Sequence, residues 1–229
     1  MVVTFDQQGL AADRWDAEYR TGRYVGEPPV AFVDRIGETV SAFSDRRDGL
    51  YIGCGNGRNY VPLVERYGLD LIGLDISLAA IEDLGRRLPD RADRLIHGDL
   101  SALPPRRKFA TVIAIQVFQH GSEDEAHRHM RAAMDVVESG GLFCFRVNAS
   151  TTQLEHSHDV IEKNEAGGYT VVYHSGPKAR LRVHFFGQSE IESLTARLEP
   201  VIPLTRQRTH REAPRRGYWD QWEGIWRRS

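Results

Sequence analysis

The sequence predicts an α/β fold: a doubly wound, mostly parallel sheet with helices on both faces. Three observations lead there. Short apolar runs rich in β-branched residues, at 50–52, 69–74, 95–97, 109–117 and 142–147, alternate with segments that repeat apolar residues at helical spacing. The first run enters three glycines at alternate positions, Gly53, Gly55 and Gly57, and a helix start follows with Pro62 in its first turn. Finally, Asp75, Asp99 and residues 116–120 each follow one of the later runs. In an open parallel sheet those positions converge beyond the carboxyl ends of the strands, where ligands sit.

The glycine turn brings bare backbone and unpaired helix N–H groups to one place, which suits an anionic or polar part of a ligand. It is not a dinucleotide fingerprint, because the third glycine of G-x-G-x-x-G falls on Arg58. It is not a phosphate loop either, since no lysine lies within it.

Composition narrows the class. With 229 residues, 41% hydrophobic and 27% charged, the chain reads as one domain, 1–229, with a sizeable core. A formal net charge of −2 gives no ground for a nucleic-acid partner. Residues 1–10 lack the basic and apolar regions of a secretory signal. No apolar run approaches the roughly 20 residues of a membrane span. The expectation is a cytoplasmic protein without a membrane partner, and nothing in the sequence speaks to its oligomeric state. Cys54 and Cys144 read as small hydrophobes rather than a disulfide framework.

Taken in order, residues 10–25 form a polar amphipathic helix ending at Gly22, with Trp15 and Tyr19 on one face. Two readings stand for it: an edge helix packing its aromatics, or a lid. A second helix spans 30–43. A third, marked by Tyr60, Val61, Val64 and Tyr67, ends at Gly68. Asp75 lies 22 residues past Gly53, where a doubly wound fold places the acid that binds ribose hydroxyls; Ser77 is the better cap for the helix 78–88. Ser122 and Glu125 form a capping box for a helix reaching Val137, which Gly140-Gly141 stop. Residues 150–177 are polar and irregular with a strand-like 169–173, an insertion at the active edge of the sheet. Ser189 and Glu192 make a second capping box, and 201–204 a sixth strand. In the tail, Trp219, Trp222 and Trp226 have helical spacing.

These motifs resemble the class I methyltransferases that use S-adenosylmethionine. The turn 51–59, the acid Asp75, the pair Gly98-Asp99 and the run 109–120 carry the likeness. Trp15-Asp16, Tyr19-Arg20 and Gly22 followed by Glu27-Pro28-Pro29, with His184-Phe185-Phe186, resemble the tellurite-resistance and thiopurine-type small-molecule enzymes in particular. The resemblance implies a Rossmann-like sheet of seven strands, the tail supplying one antiparallel strand. It implies a helical lid over 1–45 and an insertion near the acceptor at 150–180. For the cofactor it implies Tyr19, Arg20, Gly53, Cys54, Gly55, Gly57, Asn59, Asp75, Ile76, Asp99, Leu100 and Gln116, with S-adenosylhomocysteine as product. For the acceptor it implies Tyr24, Gln119, Arg146 and Asn148.

Two positions depart from the family. Tyr51 stands where the first motif opens with an acid, and Ala110 where the fourth strand reads Phe-Asp. Both losses remove negative charge that would favour the cofactor's cationic groups.

His120, just past the fourth strand, reads as a general base or as a histidine that shapes the pocket. Arg146 suits a carboxylate on the acceptor or pairs with a neighbouring acid. The basic run from Arg206 to Arg216 reads as a solvated connection or as an anion-binding rim. His127 and His129, two apart on a helix, diverge, so no metal is expected. The function that follows is methyl transfer to O, N or S of a small organic molecule bearing a carboxylate. A peptide acceptor and a non-catalytic cofactor binder are the alternatives.

Overall fold

Strands β1 (Asp48–Ile52), β2 (Asp70–Asp75), β3 (Leu95–His97), β4 (Phe109–Ile115), β5 (Val137–Asn148), β9 (Leu198–His210) and β10 (Tyr218–Arg228) form one sheet in the order β3-β2-β1-β4-β5-β10-β9. In this computed structural model residues 7–22, 24–43, 45–176 and 178–229 are described. Neighbours from β3 to β5 pair in parallel, and β10 runs antiparallel to both β5 and β9. This is the predicted sheet, antiparallel strand included.

The helices divide between its faces. Alternation along each strand sends Leu50, Val112 and Phe145 to one face, where Met130 and Ala133 of α5 (Glu123–Asp135) and Ile191 of α6 (Gln188–Leu194) cover them. Tyr51, Ile113 and Cys144 face the other way, against α2 (Phe32–Phe43), α3 (Tyr60–Glu65) and α4 (Leu78–Arg87). Every residue of β4 is buried, as befits a central strand covered on both sides. Helix α1 (Gln7–Arg20) lies outside these layers, against α4.

The tail reads as a strand despite its helical tryptophan spacing because burial decides. Trp222 and Trp226, four apart, share one face of β10 as well as they would share a helix face. Trp226 stacks on Phe145 with centroids 4.9 Å apart, and Trp222 Nε1 donates to the Phe186 carbonyl at 2.9 Å. Trp219, an odd number of residues away, does not belong to that set.

Three local expectations are corrected. Gly140 and Gly141 do not stop the preceding helix, which ends at Asp135; they lie inside β5, at a register shift opposite Phe109 and Thr111. The second capping box does not use Ser189 and Glu192: Gly187 caps α6, and its N–H donates to Glu190 Oε2 at 2.9 Å. The insertion holds the expected strand as β7 (Tyr169–Tyr173), but it is more regular than expected: β6 (His158–Lys163) precedes it, and β8 (Arg182–Phe185), just past the insertion, completes a second antiparallel sheet. Its strands are short, and the edge strand β6 leaves consecutive residues exposed, Val160 and Ile161 among them, which hid the alternation.

Glu190 also anchors that second sheet. Its Oε1 takes hydrogen bonds from His127 of α5 and, at 2.8 Å, from His184 of β8. Burial works against this carboxylate's charge, but the two histidines outweigh it and hold its pKa down to about 2. The His184 Nδ1 is matched to the Thr170 hydroxyl at 2.9 Å, so the network is closed.

Candidate functional site

The glycine turn is tied to the strand beside it. Gly53 N and Cys54 N both donate to the Leu74 carbonyl, at 2.7 and 3.1 Å. Asp75, at the end of β2, accepts from Gly55 N at 2.7 Å with one oxygen and from Ser77 N at 2.9 Å with the other. Burial raises its pKa, and those two N–H donors pull the other way. Arg87 braces the turn from below through the Asn56 carbonyl. Gly53 and Gly57 have φ of +69° and +94°, and a Cβ at either would strike Val117 or Leu84. Gly57 is therefore a packing position and does not line the cavity above the turn.

That cavity, about 430 Å³, runs from the glycine turn past Asp75 and Ile76 to Asp99 and Leu100, and on to Gln116 and His120. Asp99 caps the short turn after it, accepting from Ser101 N at 2.8 Å and Ser101 Oγ at 2.6 Å. Asn59 also lines the cavity, its Oδ1 fixed by Val30 N at 3.0 Å. Gln116 stands at φ +59°, at the abrupt end of β4.

Helix α1 closes the cavity from above. Trp15 meets the His120 ring edge-on at 5.2 Å, and the Tyr19 hydroxyl sits against Gly55. Asp16 holds the helix there, its Oδ1 accepting from Ser77 Oγ at 2.5 Å and Ala79 N at 3.1 Å. The Trp15-Asp16 pair was visible in the sequence; what Asp16 grips was not. Arg20 points to solvent and pairs with Asp16 at 3.2 Å, away from the cavity. It does not line the cavity.

A second cavity of about 590 Å³ opens beside the first, between α1, the inserted sheet and the β9–β10 hairpin. The two share Trp15, Tyr24, Arg58, Gln116, His120 and Leu181. Gln119, Arg146 and Asn148 line the second alone. Arg146 is not a waiting cation, however. Its Nε donates to Glu223 at 2.7 Å and its Nη2 to Gln221 at 2.8 Å, both on β10. The sequence could not show Glu223, 77 residues distant.

His120 stands at the junction. Neither ring nitrogen has a hydrogen-bond partner among the described residues. Burial pushes its pKa down to about 3, Lys178 adds to the shift, and the nearby Gln116 carbonyl opposes it without forming a well-aligned bond. The imidazole is therefore neutral and open to a partner.

The two departures from the family pattern weigh less than expected. Tyr51 is buried on the α2 side with its ring edge-on to Tyr60, outside both cavities. Ala110 lies at the start of β4, five residues (about 17 Å) from the end that reaches the cavity.

Residues 50–141 match the model of a family described as a methyltransferase domain. That segment holds the glycine turn, Asp75, Asp99 and His120; α1, the inserted sheet and the β9–β10 hairpin fall outside it. No curated protein matches the chain by sequence. Among solved structures it is similar to 1,6-didemethyltoxoflavin-N1-methyltransferase of Burkholderia thailandensis, bound to 1,6-didemethyltoxoflavin and S-adenosylhomocysteine. There the identity is 17% over 100% of this chain and 93% of that one, with a TM-score of 0.66. Magnesium protoporphyrin IX methyltransferase of Synechocystis PCC 6803, with bound S-adenosylmethionine, gives 15% over 99% and 100%, at 0.65. TehB of Haemophilus influenzae gives 14% over 93% and 66%, at 0.60.

The fold is thus that of S-adenosylmethionine-dependent methyltransferases of solved structure. Within that fold, residues 50–141 carry the match to a methyltransferase domain. Among the described residues, no helix is long and apolar enough to cross a membrane.

Proposed function

We propose that the protein transfers a methyl group from S-adenosylmethionine to an O, N or S atom of a small organic molecule bearing an acid group. The observation that carries this reading is the meeting of two cavities at His120 and Trp15, with Asp75, Asp99 and the glycine turn on one side only. Asp75 and Asp99 offer carboxylate oxygens to a ribose and an adenine amino group, Ile76 and Leu100 supply apolar walls, and Tyr19 covers the turn. The closed helix α1 and the inserted sheet, as parts of one domain, shield the junction from water.

S-adenosylmethionine supplies, when bound, a methyl group already activated by its cationic sulfur. The chain is left with positioning and with the acceptor's proton. His120, neutral and unpartnered, accepts a hydrogen bond from an O–H or N–H and so fixes the lone pair that reacts. A ring held near a pKa of about 3 takes that proton only from a strongly acidic donor. The oxonium formed when a hydroxyl takes the methyl before losing its proton is such a donor, and the ammonium formed from an aliphatic amine is not. Base catalysis by His120 thus favours an oxygen or a weakly basic ring nitrogen.

Incubating the protein with S-adenosylmethionine and a panel of aromatic acids, neutral aromatics and short peptides tests the reading. Mass spectrometry reads the gain of one methylene. Methylation of small molecules supports it, and methylation confined to peptides overturns the small-molecule assignment.

A further inference from the structure

The outer cavity is far richer in positive charge than the chain as a whole. Six cationic side chains line it, Arg14, Arg58, Arg146, Lys178, Arg211 and Arg215, in a protein whose net charge is −2. Three of the six are already neutralised. Arg58 pairs with Glu27 at 2.8 Å, Arg146 with Glu223 at 2.7 Å and Arg211 with Glu155 at 3.4 Å. Arg14 and Arg215 are different: neither has an ion pair or side-chain hydrogen bond among the described residues. Glu18, one turn from Arg14 on α1, lines the same cavity.

The two unmatched guanidiniums come from different elements that line the cavity. Arg14 is carried by α1, and Arg215 by the connection between β9 and β10. The Arg215 wall is stiffened. Its guanidinium lies 5.6 Å from the Trp219 ring centroid and that of Arg211 lies 4.8 Å from it. Arg211 is further held through the Arg216 carbonyl at 2.8 Å and the Gln153 carbonyl. A planar cation stacked on an indole keeps its donor edge free, and that edge matches the two oxygens of an acid group.

We propose that the acceptor is a planar organic anion whose acid group is held between Arg14 and Arg215 at the outer end of this cavity, with the reacting atom at the inner end beside His120. The placement of the reacting atom rests on the methyltransferase reading; the anion site does not. The acid is bound and left unmethylated, and the reaction falls on a different heteroatom of the same molecule. Recognition that the sequence had assigned to Arg146 passes to two residues outside the matched methyltransferase segment. Since Arg14 rides on the covering helix, the acceptor also ties that helix to the hairpin.

Two fluorescent probes test the site without knowledge of the acceptor. 1-Anilinonaphthalene-8-sulfonate and N-phenyl-1-naphthylamine share an aromatic body and differ by one sulfonate. The wild type should bind the sulfonate at least about tenfold more tightly, with a preference that weakens in high salt. In Arg14→Gln/Arg215→Gln that preference should fall to about twofold or less, with neutral-probe binding and S-adenosylhomocysteine affinity unchanged. Equal binding of both probes by the wild type, an unaltered preference in the double variant, or a parallel loss for both probes each overturns the proposal. Calorimetry on the wild type keeps the two readings apart. Absent S-adenosylhomocysteine binding removes the methyltransferase reading, while the probe preference still decides the anion site.

Discussion

Asp16 Oδ1 accepts a hydrogen bond from Ser77 Oγ at 2.5 Å across 61 residues of sequence, and one bond thus joins the covering helix to the cap of α4. Burial alone would disfavour the Asp16 charge, but the Ser77 and Ala79 donors outweigh it and lower its pKa. Asp16→Ala removes that grip while leaving the sheet intact. The expected loss of S-adenosylhomocysteine affinity corresponds to about 1–2 kcal/mol, with faster proteolysis of α1. Unchanged affinity and protease resistance would show that Asp16 does not hold the helix.

Asp75 separates binding from stability. Its carboxylate is buried and its pKa raised, so its charge costs the fold something at neutral pH. Asp75→Asn relieves that cost and loses one of the two backbone donors; these nearly cancel, and the melting temperature should stay within a few degrees of wild type. Cofactor affinity should instead drop by about 1–3 kcal/mol. A variant that binds as tightly as wild type refutes the ribose role.

The depressed pKa of His120 sets two pH dependences. The ring stays neutral down to about 3, so turnover should show no histidine-type loss between pH 5 and 8. For stability, the unfolded chain takes up a proton below about 6.5 that the buried ring refuses. The His120 contribution is thus present above that pH and is lost as pH falls towards 3. Calorimetric melting of wild type and His120→Gln at pH 7 and pH 5 should show the wild type losing ground relative to the variant on acidification. A constant gap contradicts the buried neutral state.

Arg146 and Glu223 are both nearly buried, with side-chain exposures of 9% and 5%. Glu223→Gln leaves an uncompensated guanidinium inside the protein, and about 3–5 kcal/mol of stability should be lost. Arg146→Met/Glu223→Met, without either charge, should recover most of it in thermal melts. If Glu223→Gln melts like wild type, Arg146 is free to serve a ligand after all.

Much of this was legible from spacing. Strand ends bearing Gly53, Asp75, Asp99 and His120 are readable because a parallel sheet gathers its carboxyl ends on one rim. Trp222 and Trp226 fit a helix and a strand equally, and only burial against Phe145 and Phe186 decides between them. The hidden features all depend on long-range pairing. Glu223 neutralises Arg146, Asp16 reaches Ser77, and Arg14 and Arg215 line one cavity, none of which leaves a local pattern. Arg20 looked like a ligand contact by motif, yet the turn of α1 that aims Trp15 and Tyr19 inward aims Arg20 out.

The central claim is that the turn at Gly53–Gly57 and the acids Asp75 and Asp99 grip an adenosyl group. Calorimetric titration of the wild type with S-adenosylmethionine, S-adenosylhomocysteine and NAD tests it most directly. Saturable binding of both sulfur nucleosides, and none of NAD, is the expected result. Tight NAD binding with no response to either sulfur nucleoside would contradict it.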